Sequence, residues 1–565
     1  MQNTLAIPKN PDVIHYDMVI PNINEWPIMK VNKQREEIIQ KVSDATFKKL
    51  LKKYPKGVHD VVAQTMYLEQ LRMKEDPWRV DKRLGDKGFW RKIKGGMLKH
   101  AELVQEQQDA TAHSQEILQR IVERYSREIS GTFKKGTYTL AKKVIPLLFS
   151  GLLSAVSARN IRAMFKDRVE LQDRIHLTGA IESIRKLSQK GTIMLVPTHF
   201  SNLDSIIVGW GVNAIGIPSL TYGAGLNLFN NRWLSYFMNR LGAYKVDRRK
   251  KNPIYLETLK MHSTTILRDG VHSLFFPGGT RSRSGSLESR LKLGLLGTVI
   301  EAQRQNLVEG RGSEGKIFIV PLVISYHFVL EAASLIKQHL KKTGKEKYYI
   351  VNDEFASVTK IAGFVWDYMS ARSEVTLSFG KPMDIFGNEV DDNGVSLYQG
   401  RELDIKAYFM SRGKMTSDSQ RDKEYTKLLG ERIVERYRIE NTVFSSHVVA
   451  FAGFEMLRRK HAHLDLYGLL RLPESKREIP YRAFAEYVER AMNQLHEFHK
   501  AGRLKLAPHL DRSVDDIIEH GTRNLRAYHS KRPIYRQGDK MSSQNMNLLY
   551  YYHNRLNGYR LEKYI

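Results

Sequence analysis

A histidine held by a carboxylate can take a proton from an alcohol near neutral pH, because the carboxylate fixes the ring tautomer and stabilises the imidazolium that forms. The segment Met194-Leu-Val-Pro-Thr-His-Phe-Ser-Asn-Leu-Asp-Ser205 offers such a pair in His199 and Asp204, where an apolar strand empties into a polar turn. Residues five apart diverge by roughly 140° on one continuous α-helix, so a bend is required for the two to meet. Pro197 and Ser201–Asn202 supply that bend, since Ser and Asn favour turns and helix N-caps, and the Ile206–Trp210 run begins a packed helix with Asp204 in its first turn. One ring nitrogen then faces the carboxylate and the other is left to accept a proton. This is half of an acyl-transfer site.

The second segment, Leu274-Phe-Phe-Pro-Gly-Gly-Thr-Arg-Ser-Arg-Ser-Gly-Ser286, runs from a β-rich stretch into a Gly-rich basic turn. Gly278 and Gly279 permit close backbone approach to a ligand, while Thr280, Ser282, Arg281 and Arg283 add donors suited to phosphate oxygens. Apolar residues before the turn and from Leu291 to Ile300 after it anchor this loop in a fold. Gly242-Ala-Tyr-Lys-Val-Asp-Arg248 is a further strand and turn that could aim Arg248 at the same anion, and Ile319-Val-Pro-Leu-Val-Ile324 reads as core.

The elements that must position these residues follow from periodicity. Thr192–Val196, Ala243–Val246, His272–Phe276, Lys316–Ser325 and Glu374–Phe379 read as strands, with helices over Leu256–Arg268 and Leu291–Gln305 between them. That alternation predicts an α/β layer structure. Upstream, from about Val31 to Tyr138, apolar residues recur at helical spacing, as in Ile38, Val42, Phe47 and Leu50. Gly387 to Gly400 reads as a surface loop, Ser411 to Lys423 as a polar linker, and Tyr425 to Ile565 returns to helical periodicity. The expected division is an N-terminal helical region over 1–165, an α/β block over 166–410 and a C-terminal helical region over 424–565.

With 565 residues and 42% apolar residues the chain can bury two to four domain-sized cores. It has no cysteine, which removes disulfides, thiolate nucleophiles and thiolate metal sites and fits a reducing compartment. The 90 Lys and Arg against 61 Asp and Glu leave +29, a field that concentrates anionic partners. Met1 to Met18 lacks the basic and apolar pattern of a secretory signal. No stretch reaches the roughly 20 apolar residues of a spanning helix; Val144 to Val156 comes nearest and reads as a buried helix rather than a segment dipping into one leaflet. His461-Ala-His-Leu-Asp465 has a metal-like spacing but Leu at position 466 and a helical lead-in, so no metal is expected there.

Taken in order, His199–Asp204, Gly242–Arg248, Phe276–Arg281 and Val320–Ile324 resemble the shared motifs of the glycerolipid acyltransferase superfamily. Arg281-Ser-Arg-Ser-Gly285 with Lys292-Leu-Gly294, and the long flanks, are similar to the glycerol-3-phosphate and dihydroxyacetone-phosphate acyltransferases. Asn441–Leu457 and Asn547–Arg555 also look like bacterial glycerol-3-phosphate enzymes. Two positions depart: Gly278 stands where the family carries glutamate, and Phe200 where glycerol-3-phosphate enzymes commonly carry arginine. Glu288 could replace the missing carboxylate only if the loop folds back.

The resemblance implies a central acyltransferase-type α/β domain with a mixed sheet, His199 as general base, Asp204 orienting it, and Arg248, Arg281, Arg283 and Lys292 on the acceptor phosphate. Gly278, Gly279 and Thr280 would shape the loop. It implies transfer from acyl-CoA or acyl-carrier protein to the sn-1 hydroxyl of glycerol-3-phosphate without cofactor or metal, at the cytoplasmic, anionic face of a membrane; lysophosphatidate and dihydroxyacetone phosphate are the alternative acceptors. The rival of another class is a non-catalytic basic protein that binds membrane or nucleic acid. It explains the charge but not why a strand–His–turn–Asp arrangement precedes a basic Gly loop, and no nucleic-acid partner is expected.

Overall fold

A computed structural model describes residues 16–106, 110–142, 175–230, 232–343, 374–526 and 529–565. Val144 to Val156 lies outside them. Seven strands form the central sheet: β1 (Ile175–Gly179), β2 (Thr192–Pro197), β3 (Thr221–Gly225), β4 (Ala243–Val246), β5 (Ser273–Leu274), β6 (Ile317–Tyr326) and β7 (Val375–Phe379). Their spatial order is β1-β7-β6-β2-β5-β3-β4. β6, β2, β5, β3 and β4 run parallel, and β7 turns antiparallel against β6, so the sheet is mixed as expected. Every residue of β2 and of the ten-residue β6 is buried, the pattern of strands covered on both faces by helices.

The parallel direction decides where chemistry can sit. Loops leaving the carboxyl ends of β2, β4, β5 and β6 all emerge on one edge of the sheet, and ligands in open α/β sheets bind outside such ends. The His199 turn follows β2, Arg248 follows β4 and the Gly-rich loop follows β5. β1 and β3 were not legible as strands; Thr221-Tyr-Gly-Ala-Gly225 carries two glycines and no apolar alternation.

Two expected irregular stretches hold structure. Within Gly387–Gly400, Glu389–Val390 and Ser396–Tyr398 pair antiparallel, and Arg401–Leu403 adds a third strand. Asp391 makes the turn possible by accepting from the Asn393 and Val395 amides, with Gly394 at φ +75°. The presumed linker contains the hairpin Met410–Ser411 with Lys414–Met415, and the helix Ser419–Glu440 starts inside it because Asp418 caps the Gln420 and Arg421 amides.

The C-terminal helices share one continuous apolar core with the sheet, in which Phe451, Phe454, Leu549 and Tyr551 join Val196, Ile324 and Phe328. The N-terminal helices Arg35–Lys53, Val58–Glu75, Asp86–Gln105 and Thr111–Ile129 build a separate cluster against Tyr244, Ile254, Tyr255 and Leu259. Ile117, Leu118, Ile121, Val122, Tyr125 and Ile129 form the buried stripe of the last of these, at the spacing of one helix face.

Buried charge also ties that bundle to the turn after β4. Arg72 pairs with Glu69 at 2.8 Å and Asp86 at 2.7 Å. Arg249 pairs with Asp81 and Asp247, each at 2.8 Å, and lies 3.7 Å from the Trp78 ring. Lys250 reaches Glu128 at 2.7 Å with both side chains almost fully buried.

Candidate active site

Pro197 ends β2, and the chain turns through Thr198–Leu203 before the helix Asp204–Ala214 begins. This bend closes the gap that a straight helix would leave: His199 Nδ1 lies 2.8 Å from Asp204 Oδ2. The same oxygen accepts the Phe200 amide at 2.6 Å and the Ser201 amide at 2.9 Å, and Oδ1 accepts the Tyr326 hydroxyl at 2.6 Å. With four donors and no solvent exposure, Asp204 is held as an acceptor, so Nδ1 of His199 must carry its proton. The lone pair is thereby placed on Nε2, which has no hydrogen-bond partner among the described residues. The ring stacks on Phe276, centroids 4.1 Å apart, and keeps 14% of its side-chain surface exposed, enough for a substrate to reach it.

A second carboxylate, absent from the sequence reading, locks the rest of the turn. Glu331 is buried after β6 and accepts from the Ser201 hydroxyl and the Asn202 amide, both at 3.0 Å. Arg281 donates to it at 3.1 Å. Burial pushes the Glu331 carboxyl up from its usual range, opposed by the Arg281 cation. Arg281 therefore spends one nitrogen on bracing the His199 turn from the Gly-rich loop, a duty the anion-binding reading did not contain. The Ser282 amide adds a 2.7 Å bond to the His199 carbonyl.

The other basic residues are distributed along the edge. Lys292 lies over Gly279, whose φ is +74°; a Cβ there would come within 2.6 Å of Lys292 Cδ, so glycine makes room for the amine chain. Arg283 lies within electrostatic reach of the helix Ala332–Thr343, where burial lowers the His339 pKa and the Arg283 charge lowers it further. Arg248 is exposed on the loop after β4. Three strand spacings separate β4 from β2, about 15 Å, so Arg248 shares the edge with His199 but lies well to one side. Gly278 and Thr280 lie in the loop between β5 and the helix Leu293–Leu296.

Glu288 does fold back. Its Oε1 accepts the His199 amide at 2.9 Å. Burial pushes its carboxyl up to about 7, opposed by that amide and by the Arg555 cation. Arg555, also missed, is buried behind the turn: Nε donates to Asn441 at 2.8 Å, and Nη2 to the Ile324 carbonyl at 2.8 Å and to Ser325 at 2.9 Å. Its guanidinium lies 4.4 Å from the Phe200 ring. Burial lowers its pKa to about 10. A cavity of about 20 Å³ between Phe200, Tyr326, His447, Tyr551 and Arg555 has room for about one water.

Tyr326 lies one residue beyond the strand expected over Lys316–Ser325, and its hydroxyl at the carboxyl edge was missed. Glu331 carried a weaker signal, an acid set among apolar residues in Phe328-Val-Leu-Glu-Ala-Ala333, whereas Glu288, followed by Ser289 and Arg290, carried none in its local pattern. Tyr551 and Tyr552 are packed in the core, and the Tyr552 hydroxyl accepts the Val329 amide.

His461 and Asp465 serve local structure: His461 Nε2 meets the Lys476 carbonyl at 3.2 Å, and Asp465 caps Gly468 at 2.7 Å. Elsewhere His327, His509 and His520 bring three potential donor atoms within 4.8 Å. His509 Nε2 already accepts the Ser445 amide at 3.1 Å, so Nδ1 of a neutral ring carries the proton and faces Glu374 at 3.6 Å. That lone pair is committed to the fold, and the cluster does not fit a metal.

Residues 179–325 match the Acyltransferase family. Among curated relatives, the chain is 23% identical to a glycerol-3-phosphate acyltransferase of Pseudoalteromonas atlantica over 46% of this chain and 29% of the relative. It is 29% identical to that of Haemophilus ducreyi over 39% and 24%, and 30% identical to that of Histophilus somni over 29% and 20%, respectively. The aligned stretch thus spans less than a third of these relatives' own length. A bent His–Asp pair, a Gly-rich cationic loop and a buried parallel strand meet on one sheet edge within the matched residues, and this block is similar to the Acyltransferase family and to the glycerol-3-phosphate acyltransferases.

Proposed function

We propose that the chain transfers a fatty acyl group from an acyl thioester, acyl-CoA or acyl-carrier protein, to the sn-1 hydroxyl of glycerol-3-phosphate. The observation that carries this reading is the open Nε2 of His199, fixed as a lone pair by a carboxylate with four donors and set beside a basic Gly-rich loop. His199 takes the acceptor hydroxyl proton as the oxygen attacks the thioester carbonyl. The tetrahedral intermediate collapses by breaking the C–S bond, and the imidazolium returns its proton to the leaving thiolate. Bond formation and cleavage balance with no group attached to the protein.

Arg281, Arg283 and Lys292 would hold the acceptor phosphate near the base, with Arg248 farther along the edge. The phosphate fixes the molecule so that one hydroxyl reaches Nε2, which is where orientation contributes to rate. We also place the protein at the anionic cytoplasmic face of a membrane, a reading supported by the net charge of +29 and an attraction of about 1 kcal/mol per surface-proximal Lys or Arg. No helix among the described residues is long and apolar enough to cross a membrane.

The test is turnover of an acyl thioester with glycerol-3-phosphate, dihydroxyacetone phosphate and lysophosphatidate in turn. His199→Ala is expected to lose about 10²–10⁴-fold in kcat with its circular dichroism unchanged. Equal turnover by both proteins, or none by wild type with any acceptor, overturns the assignment.

A further inference from the structure

Ten residues after Gly278, the loop has returned on itself. Gly279 at φ +74° and Gly285 at φ +85° make the reversals, and Glu288 comes to lie against position 278. A Cβ built on Gly278 would stand 3.1 Å from both Cγ and Oε1 of Glu288. The space into which a side chain at 278 would grow is filled by this carboxylate. A side chain at 278 would therefore crowd Glu288, and the two positions compete to send an acid to this place.

What the carboxylate does there is also defined. Oε1 holds the amide of His199 itself, at 2.9 Å. Oε2 is buried with no hydrogen-bond partner among the described residues. An acid left half satisfied in a buried place costs stability, and a residue chosen for packing alone would not need it. The titratable and charged groups around it are His199, Asp204, Arg555 and Tyr437. The opposite faces of the His199 turn are held by Asp204 and Glu331, so Glu288 closes the third side of the peptide that carries the base.

Building on the acyl-transfer reading above, we propose that Glu288 is a positioning residue for the reaction: admitted by the missing side chain at position 278, its carboxylate holds the His199 backbone so that Nε2 stays aimed at the acceptor hydroxyl. It touches no reacting atom. Its effect on rate comes through the imidazole, and the ordering of charge on it should be visible in the pH dependence of turnover.

Three variants in the full chain test this. Glu288→Ala removes the acceptor of the His199 amide and is expected to lower kcat about 10²-fold with acceptor KM changed less than about two-fold, the cost of a displaced catalytic group. Glu288→Gln keeps a neutral oxygen for that amide. Wild type below pH 7 carries a neutral Glu288 and should match Glu288→Gln; above about 7 the ionised carboxylate is the stronger acceptor, and the ratio of wild type to Glu288→Gln in kcat should rise. Gly278→Glu places two acids in one space and should lose activity, while Gly278→Glu combined with Glu288→Gly should recover at least about ten-fold over either single change.

Wild-type kcat and pH profile in Glu288→Ala, or purely additive losses in the double variant, would overturn the proposal. Hydrogen exchange at the His199 amide gives a readout that needs no turnover: faster exchange in Glu288→Ala supports the contact, and unchanged protection removes it. Absence of turnover in wild type with every acceptor would end the acyl-transfer reading and the catalytic part of this one. The exchange result would then still report whether Glu288 holds the turn.

Discussion

Where the N-terminal helices meet the turn after β4, each buried cation lies against carboxylates: Arg72 on Glu69 and Asp86, Arg249 on Asp81 and Asp247, Lys250 on Glu128. Around the His199 turn the arrangement is different. Arg555 is as deeply buried, yet its hydrogen-bond partners are an amide oxygen, a carbonyl and a hydroxyl, and it forms no ion pair among the described residues. Glu288 leaves one oxygen without a donor. A docking surface gains from neutralising every charge, because nothing else will arrive to do it. A site that must receive a charged, polar guest keeps part of its charge uncommitted, and stability is lower there for that reason.

The first way to break this contrast is to orphan a charge in the network. Lys250→Ala leaves Glu128 buried without its cation, and the unfolding free energy should fall by about 3–5 kcal/mol in urea titrations. Replacing the pair together, Lys250→Met with Glu128→Leu, should recover most of that loss; a double variant as unstable as the single would show that the pair contributes more than mutual compensation.

Arg555→Met should cost less, about 1–3 kcal/mol, since it strands polar acceptors rather than a charge. A loss equal to that of Lys250→Ala would erase the distinction between the two regions.

The effect of Glu288→Gln on stability vanishes near pH 4 and grows toward pH 7, and its sign follows from the raised carboxyl. The folded protein holds a proton on Glu288 up to about pH 7, whereas the unfolded chain releases it near 4.5, so the native state binds more protons in this window and wild-type stability should fall as pH rises through it. Glu288→Gln removes that slope, matching wild type near pH 4 and exceeding it above 7, as read from denaturation midpoints across pH. A parallel pair of profiles would place the carboxyl at an ordinary pKa. On the kinetic side, Arg281→Ala should raise acceptor KM by about ten-fold while donor KM stays within two-fold.

The β2–turn–helix unit was legible because its signals agree: an apolar run, a proline, small polar residues and then a helical repeat all fix the same bend, and the His199–Asp204 contact follows from it. Arg281 stands in the Gly-rich loop that the sequence singled out, but its bond to Glu331 depends on where the chain goes after β6, which local pattern does not encode. Arg249 and Lys250 show the same limit from the other side. They follow Arg248 in an unbroken basic run, Arg248-Arg-Lys-Lys251, yet two of them are consumed by acids contributed by the N-terminal helices. Glu288 and Arg555 reach the turn only through loop reversal and long-range docking, and no periodicity announces either.

The docking of Met546–Leu556 carries a consequence for the order in which the molecule becomes competent. Gly285 must lack a side chain because a Cβ there would run into the Tyr551 carbonyl, and Asn554 donates to the Ser284 carbonyl at 2.9 Å across 270 residues of chain. A ribosome adding roughly 5–20 residues per second needs on the order of tens of seconds to cover that distance. For all of that interval the nascent Gly-rich loop has neither Tyr551 nor Asn554 to close upon.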